Sequence, residues 1–108
     1  MDGIGQVSHF APVGESWELR VQVPAALARY LAYKGSITIN GVSLTVNRVV
    51  DNADIPSSGC EISINLIPHT VQTTALAELH AGENVNLEID MIARYVERML
   101  STQTPLSL

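Results

Sequence analysis

Four separate stretches of this chain alternate apolar and polar residues with a period of two, and no other feature limits the fold as strongly. Successive side chains of a pleated strand point to opposite faces, so strict alternation means one buried face and one wet face. Trp17, Leu19, Val21 and Val23 share one face, with Glu18, Arg20 and Gln22 on the other. Val42, Leu44 and Val46 oppose Ser43, Thr45 and Asn47 in the same way. Ile62, Ile64 and Leu66 oppose Glu61, Ser63 and Asn65, and Val85, Leu87 and Ile89 oppose Asn86, Glu88 and Asp90. Asn40-Gly41 falls between Ile37/Ile39 and Val42/Leu44, and this dipeptide accepts the positive φ angles of a type I′ turn. Residues 36–50 are therefore expected to form a hairpin.

Helical spacing occurs three times. Residues 24–31 open with Pro24, which suits a first helical turn, and carry Leu27, Tyr30 and Leu31 on one stripe before Gly35. Residues 70–79 place Ala75, Leu76 and Leu79 on one face, with Gly82 as a stop signal. Residues 91–100 carry Ile92, Tyr95, Val96, Met99 and Leu100, a stripe wide enough to need a partner surface such as another subunit. Residues 51–59 read as a loop that projects into solvent, and residues 101–108 as a frayed tail. Many short strands with turn signals between them and no βαβ alternation predict a closed antiparallel barrel, in which no strand edge stays exposed. Apolar faces would fill the interior, so any chemistry belongs on the outer wall.

Composition narrows the function. The 108 residues suit one compact domain, and eleven acidic against six basic residues give a net charge of −5 that disfavours nucleic acid. The apolar runs are too short to span a bilayer, and Asp2 and Gly3 do not open a secretory leader, so cytoplasmic residence is expected. Cys60 has no disulfide partner and reads as a small core thiol. His9, His69 and His80 lack metal-ligand spacing, so no metal site is expected.

The stretch from Lys34-Gly35-Ser36 through Asn40-Gly41 to Ser43-Leu44-Thr45-Val46 resembles the KGS, NG and SLTV segment of the riboflavin synthase family. Ile67-Pro68-His69-Thr70 with Thr73-Thr74-Ala75-Leu76 is similar to that family's IPHT crossing, and Val85-Asn86-Leu87-Glu88-Ile89-Asp90 to its VNLE-D strand. Tyr95-Val96-Glu97-Arg98 resembles its closing helix. The likeness implies an all-β fold: a six-stranded antiparallel Greek-key barrel with short crossover helices and a C-terminal helix. Residues 1–90 would be one lumazine-binding barrel, and residues 91–108 an oligomerisation helix and tail. Family members have two such barrels in tandem and form homotrimers. Asp2-Gly3-Ile4-Gly5 and the serine of SLTV resemble the second barrel, leaving the N-terminal barrel to come from elsewhere.

The resemblance implies a transferase reaction without a cofactor. One of two molecules of 6,7-dimethyl-8-ribityllumazine passes a four-carbon unit to the other, giving riboflavin and a ribitylaminouracil. Two stacked heterocycles replace a bimolecular encounter, a proton leaves an acidic 7-methyl group, and a nucleophile adds to the partner ring. By resemblance Ser43 relays a proton or activates the nucleophile, Thr45 holds the ring, and Asp90 is the carboxylate beside the serine. Asp90 also stands where a helix N-cap belongs. Lys34 would contact the ribityl chain, although a solvated lysine is the simpler account. Gly41 and Val42 join the binding set, as do Thr70, Thr73 and backbone groups at Leu66 and Ile67 along the pyrimidine edge; helix capping accounts equally for Thr70. Two other classes compete: a non-catalytic lumazine- or flavin-binding module like the lumazine proteins, and the flavin barrel of a reductase, whose RxYS-like motif is absent here.

Overall fold

A computed structural model describes residues 2–51, 59–67, 70–71 and 75–102, without the side chains of residues 75, 77, 101 and 102. Seven strands occur among them: β1 (Gly3–Val13), β2 (Ser16–Val23), β3 (Ser36–Ile39), β4 (Val42–Thr45), β5 (Arg48–Asp51), β6 (Cys60–Leu66) and β7 (Asn84–Ile89). All pairings are antiparallel, in the order β4-β3-β7-β1-β2-β6-β5. Helices α1 (Ala25–Ala28) and α2 (Met91–Thr102) accompany them, with a 3-10 turn at Ala75–Glu78.

Six strands were expected, and the seventh arises because one of them breaks. The Val46 N–H still donates to Gly35 O on the β3 side at 2.7 Å, whereas the next residue, Asn47, donates to Ser63 O of β6 at 2.8 Å. At that corner the alternation slips by one. Leu44 and Val46 are buried, Asn47 and Arg48 are both exposed, and Val49 packs on the core. Such an extra residue bends a strand and lets it change partners, as at a barrel corner. β4 and β5 are thus two halves of one strand, and the ladder closes on itself through residues 46 and 47. The hairpin expected over residues 36–50 accordingly ends at Thr45, where its ladder to β3 stops. Its turn is as predicted, with φ of 49° at Asn40 and 85° at Gly41.

The interior is filled by the predicted apolar faces: Leu19, Val21, Ile62, Ile64, Leu66, Val85 and Leu87 are at most 2% exposed. Each fully buried side chain of this kind contributes about 1.5–3 kcal/mol. Cys60 is buried among them, where burial, aided by the Asp51 charge, pushes its thiol up to about 11.

β1 had no alternating signature because its inward positions begin with glycine. Its neighbours close in on Gly5, where a Cβ would lie 2.8 Å from Gln22 O and 2.8 Å from carbons of Val21 and Leu87. The helix expected over residues 24–31 is only the four residues of α1, which seat Leu27 in the core. Of the helix expected over residues 70–79, residues 70 and 71 are helical and the 3-10 turn follows, the part between lying outside the described residues.

α2 begins where expected and docks by its polar side. Asp90 Oδ1 accepts from the Ile92 N–H at 3.4 Å, a capping contact. Arg94 reaches Asp2 at 2.7 Å and lies 5.1 Å from the Tyr30 ring centroid, while Glu97 meets Arg29 at 3.6 Å. The apolar stripe of Met91, Ile92, Tyr95, Val96, Met99 and Leu100 stays uncovered, each residue 46–69% exposed, with Ile92, Val96 and Leu100 along a groove beside residues 29–32.

Candidate functional site

The strand corner opens a cleft beside two of the predicted residues. Lys34 donates its backbone N–H to Val46 O at 2.8 Å, so the segment before β3 lies across the bend. Between them opens a cleft of about 460 Å³ lined by Tyr33, Lys34, Thr45, Val46, Asn47 and Asn65. That volume falls within the range of small-molecule sites. Lys34 is the charged residue among these, and its Nζ stands 5.4 Å from the Tyr33 ring centroid. The Thr45 hydroxyl and two side-chain amides supply both donors and acceptors. A cation, an aromatic ring and neutral donors and acceptors together suit a flat, polar small molecule.

Of the residues singled out from sequence, Lys34 and Thr45 meet in this cleft. Leu66 follows Asn65 but turns its side chain into the core, and Ile67 beside it is 61% exposed. The Ile67 carbonyl accepts from the Val71 N–H at 3.3 Å, and Thr70 is half-buried in that turn. Gly41 and Val42 lie at the other end of the β3–β4 hairpin, away from the cleft lining. Thr73 and His69 lie outside the described residues.

Ser43 and Asp90 occupy the same outer wall in different rows. Ser43 is opposite Thr38, which is opposite Glu88 on β7, so Glu88 shares the Ser43 row. Two strand spacings separate them, about 10 Å. Thr45 is opposite Ser36, and Asp90 leaves β7 directly after the Ile37–Ile89 pair, next to Ser36. Ser36 and Asp90 line a second groove of about 350 Å³ that runs between α2 and residues 29–36. The Ser43 hydroxyl is exposed and makes no hydrogen bond among the described residues. Among those residues no group of three or more His, Cys, Asp or Glu side chains comes together, and no helix is long and apolar enough to cross a membrane.

Tyr33, Asn47 and Asn65 were not singled out from sequence. Asn65 was legible as an outward residue of an alternating strand, but Asn47 gains its place only through the slip at the corner. Tyr33 sits just before the KGS segment, and its exposure depends on a turn that no periodicity reveals.

Residues 1–90 match the family model described as Lumazine binding domain. The riboflavin synthase of Photobacterium phosphoreum is 37% identical over 105 residues, which cover 97% of this chain and 44% of that protein. The riboflavin synthase of Photobacterium leiognathi is 40% identical over 100 residues, covering 93% of this chain and 42% of that protein. The Mycobacterium tuberculosis H37Rv riboflavin synthase is 39% identical over 105 residues, with coverage of 93% and 47%. This chain thus spans a little under half the length of these relatives. Among solved structures, LumP complexed with riboflavin aligns at a TM-score of 0.69 with 23% identity, covering 84% of this chain and 45% of that one. LumP complexed with 6,7-dimethyl-8-(1'-D-ribityl) lumazine aligns at 0.63 with 24% identity, covering 81% and 43%. At that identity the likeness is one of fold.

Proposed function

From the premise that this chain belongs to the lumazine-binding domain family, we propose that it binds one 6,7-dimethyl-8-ribityllumazine or riboflavin molecule on its outer wall, as one half of a riboflavin synthase. The observation that carries this reading is the cleft that brings Lys34 and Thr45 together at the β4–β5 corner. Thr45 and the neighbouring amides would hold the heterocycle, with Lys34 toward the ribityl hydroxyls. Gly41, Val42, Leu66, Ile67, Thr70 and Thr73 complete the proposed binding set from the family resemblance.

One such wall leaves half of a bound ring uncovered. The transferase reaction needs a second lumazine stacked on the first, so we assign the opposing surface to an N-terminal barrel. Ser43 would relay the proton from the 7-methyl group or ready the nucleophile that adds to the partner ring, and Asp90, in a different row of the wall, would supply a carboxylate to the same reaction without contacting Ser43. Assignment to the second barrel of the tandem pair is supported by α2, which follows the barrel and leaves an apolar stripe uncovered. That stripe would join copies of the chain into the trimer the family resemblance implies. Cytoplasmic residence, without a cofactor, belongs to the same reading.

A non-catalytic binding module is the second reading, favoured by the separation of Ser43 and Asp90 into different rows of the wall. Fluorescence titration with ribityllumazine and riboflavin, run beside a turnover assay with and without an N-terminal barrel, tests both. Binding with turnover only in the mixture supports the half-enzyme, and binding without turnover in either supports the module. A folded chain that ignores both ligands refutes the two together.

A further inference from the structure

Tyr33 presents a large aromatic ring at the rim of the cleft with 64% of its surface exposed. Tyrosine rings ordinarily bury their apolar body and wet only the hydroxyl. The backbone that carries this one is tightly held. Gly35 donates to Ala32 O at 2.9 Å, Lys34 to Val46 O at 2.8 Å, and Val46 back to Gly35 O at 2.7 Å. Lys34 takes φ of 67° to make the turn, a left-handed conformation that costs a side-chain-bearing residue about 1–2 kcal/mol. Strained residues of this kind cluster at ligand clamps. Lys34 Nζ covers one face of the ring at 5.4 Å, and among the described residues no other ring packs on it.

We propose that Tyr33 is a ligand-binding residue, whose open face stacks on the fused heterocycle held in the cleft while Thr45, Asn47 and Asn65 meet its polar edge. The inference rests on the ligand reading above. A fixed aromatic platform loses little conformational freedom on binding, and stacking contributes beyond the area it covers. The strap across the corner supplies that rigidity, which accounts for an otherwise uncovered ring and a strained lysine together.

The test is titration of the wild-type chain, Tyr33→Leu and Tyr33→Trp with riboflavin and with 6,7-dimethyl-8-ribityllumazine, following ligand emission, with thermal midpoints measured alongside. Tyr33→Leu is expected to weaken binding about tenfold and to brighten the bound riboflavin, because a stacked aromatic quenches it. Tyr33→Trp should keep the affinity within a few fold and darken the bound ligand further. Should Tyr33→Leu lower the midpoint, the Trp variant decides by its emission alone. Wild-type binding that neither substitution alters in affinity or emission overturns the role of Tyr33 and leaves the ligand reading standing. A folded wild-type chain that binds neither ligand overturns the ligand reading first.

Discussion

Asp2 joins the two ends of the fold: one carboxylate oxygen accepts from the Ile89 N–H at 2.7 Å, and the other stands 2.7 Å from an Arg94 guanidinium nitrogen. The first contact extends the β1–β7 ladder beyond Gly3, and the second fixes the angle of α2. Together they determine which side of the helix faces the barrel and leave its apolar stripe uncovered.

Both contacts hold the Asp2 carboxyl below its ordinary value of 3.8, the Ile89 hydrogen bond most and Arg94 next. A depressed carboxylate contributes stability that is fully present above its unfolded value and is lost as pH falls through the folded one. Acid titration should therefore show the wild-type chain losing stability below about pH 4, with Asp2→Asn losing less over that window. At neutral pH Asp2→Asn should already be less stable by about 1 kcal/mol, since the pair is partly solvated. Denaturant melts at pH 7 and pH 3 check both, and equal pH dependence in the two proteins would remove Asp2 from the account.

Gly5 is where β1 passes closest to its neighbours. A methyl group there would collide with the Gln22 carbonyl, which belongs to a hydrogen-bonded strand and cannot move aside as a side-chain tip would. Gly5→Val should cost more than about 2 kcal/mol through overpacking, read as a lowered denaturation midpoint, whereas Gly14→Ala, whose Cβ position is open but whose φ is 61°, should cost about 1 kcal/mol from backbone strain alone.

The same glycine explains what sequence could and could not reveal. β2, β6 and β7 were legible because each buries one face with Val, Ile or Leu at alternate positions, and that period survives into the structure except at Ser63 of β6, which is buried on the opposite face. β1 was hidden because close approach replaces an apolar side chain with none. The seventh strand was hidden because a single extra residue at Asn47 reverses the alternation, a change visible only once the partner of each residue is known. In the candidate site, Lys34 and Thr45 were named from a motif. Tyr33 is the neighbour of Lys34 but belongs to no periodic pattern, and Asn65 joins them across a sequence separation that local pattern does not bridge.

Cys60 offers a probe of barrel opening. Burial pushes its thiol up to about 11, and the thiolate is the reactive form. Ellman's reagent at pH 8 should leave the native thiol untouched and label it fully in denaturant. Rapid labelling of the folded chain would mean that the β5–β6 edge opens readily.

Relaxing the Lys34 turn separates stability from binding. Lys34→Gly removes the cost of a left-handed lysine, so the folded chain should gain about 0.5–1 kcal/mol. The same change removes the ammonium from the cleft and frees the Tyr33 segment, so riboflavin affinity should fall. A higher melting temperature with weaker binding is the expected pair of results, and a gain in both would remove Lys34 from the site.

Asp90 has two assignments, a helix cap seen in the structure and a proposed catalytic carboxylate, and substitution can divide them. Asparagine caps helices about as well as aspartate, whereas alanine does not. Asp90→Asn should therefore leave the melting temperature near wild type, and Asp90→Ala should lower stability by about 1 kcal/mol. If the carboxylate takes part in proton transfer, both variants lose turnover in the mixture with an N-terminal barrel by about 100-fold or more, while ligand affinity changes little. Ser43→Ala should behave like Asp90→Asn, because its exposed hydroxyl holds no structural contact among the described residues. Turnover that follows stability, falling only in Asp90→Ala, would assign Asp90 to the helix alone and turn attention to Glu88, the carboxylate that shares the Ser43 row.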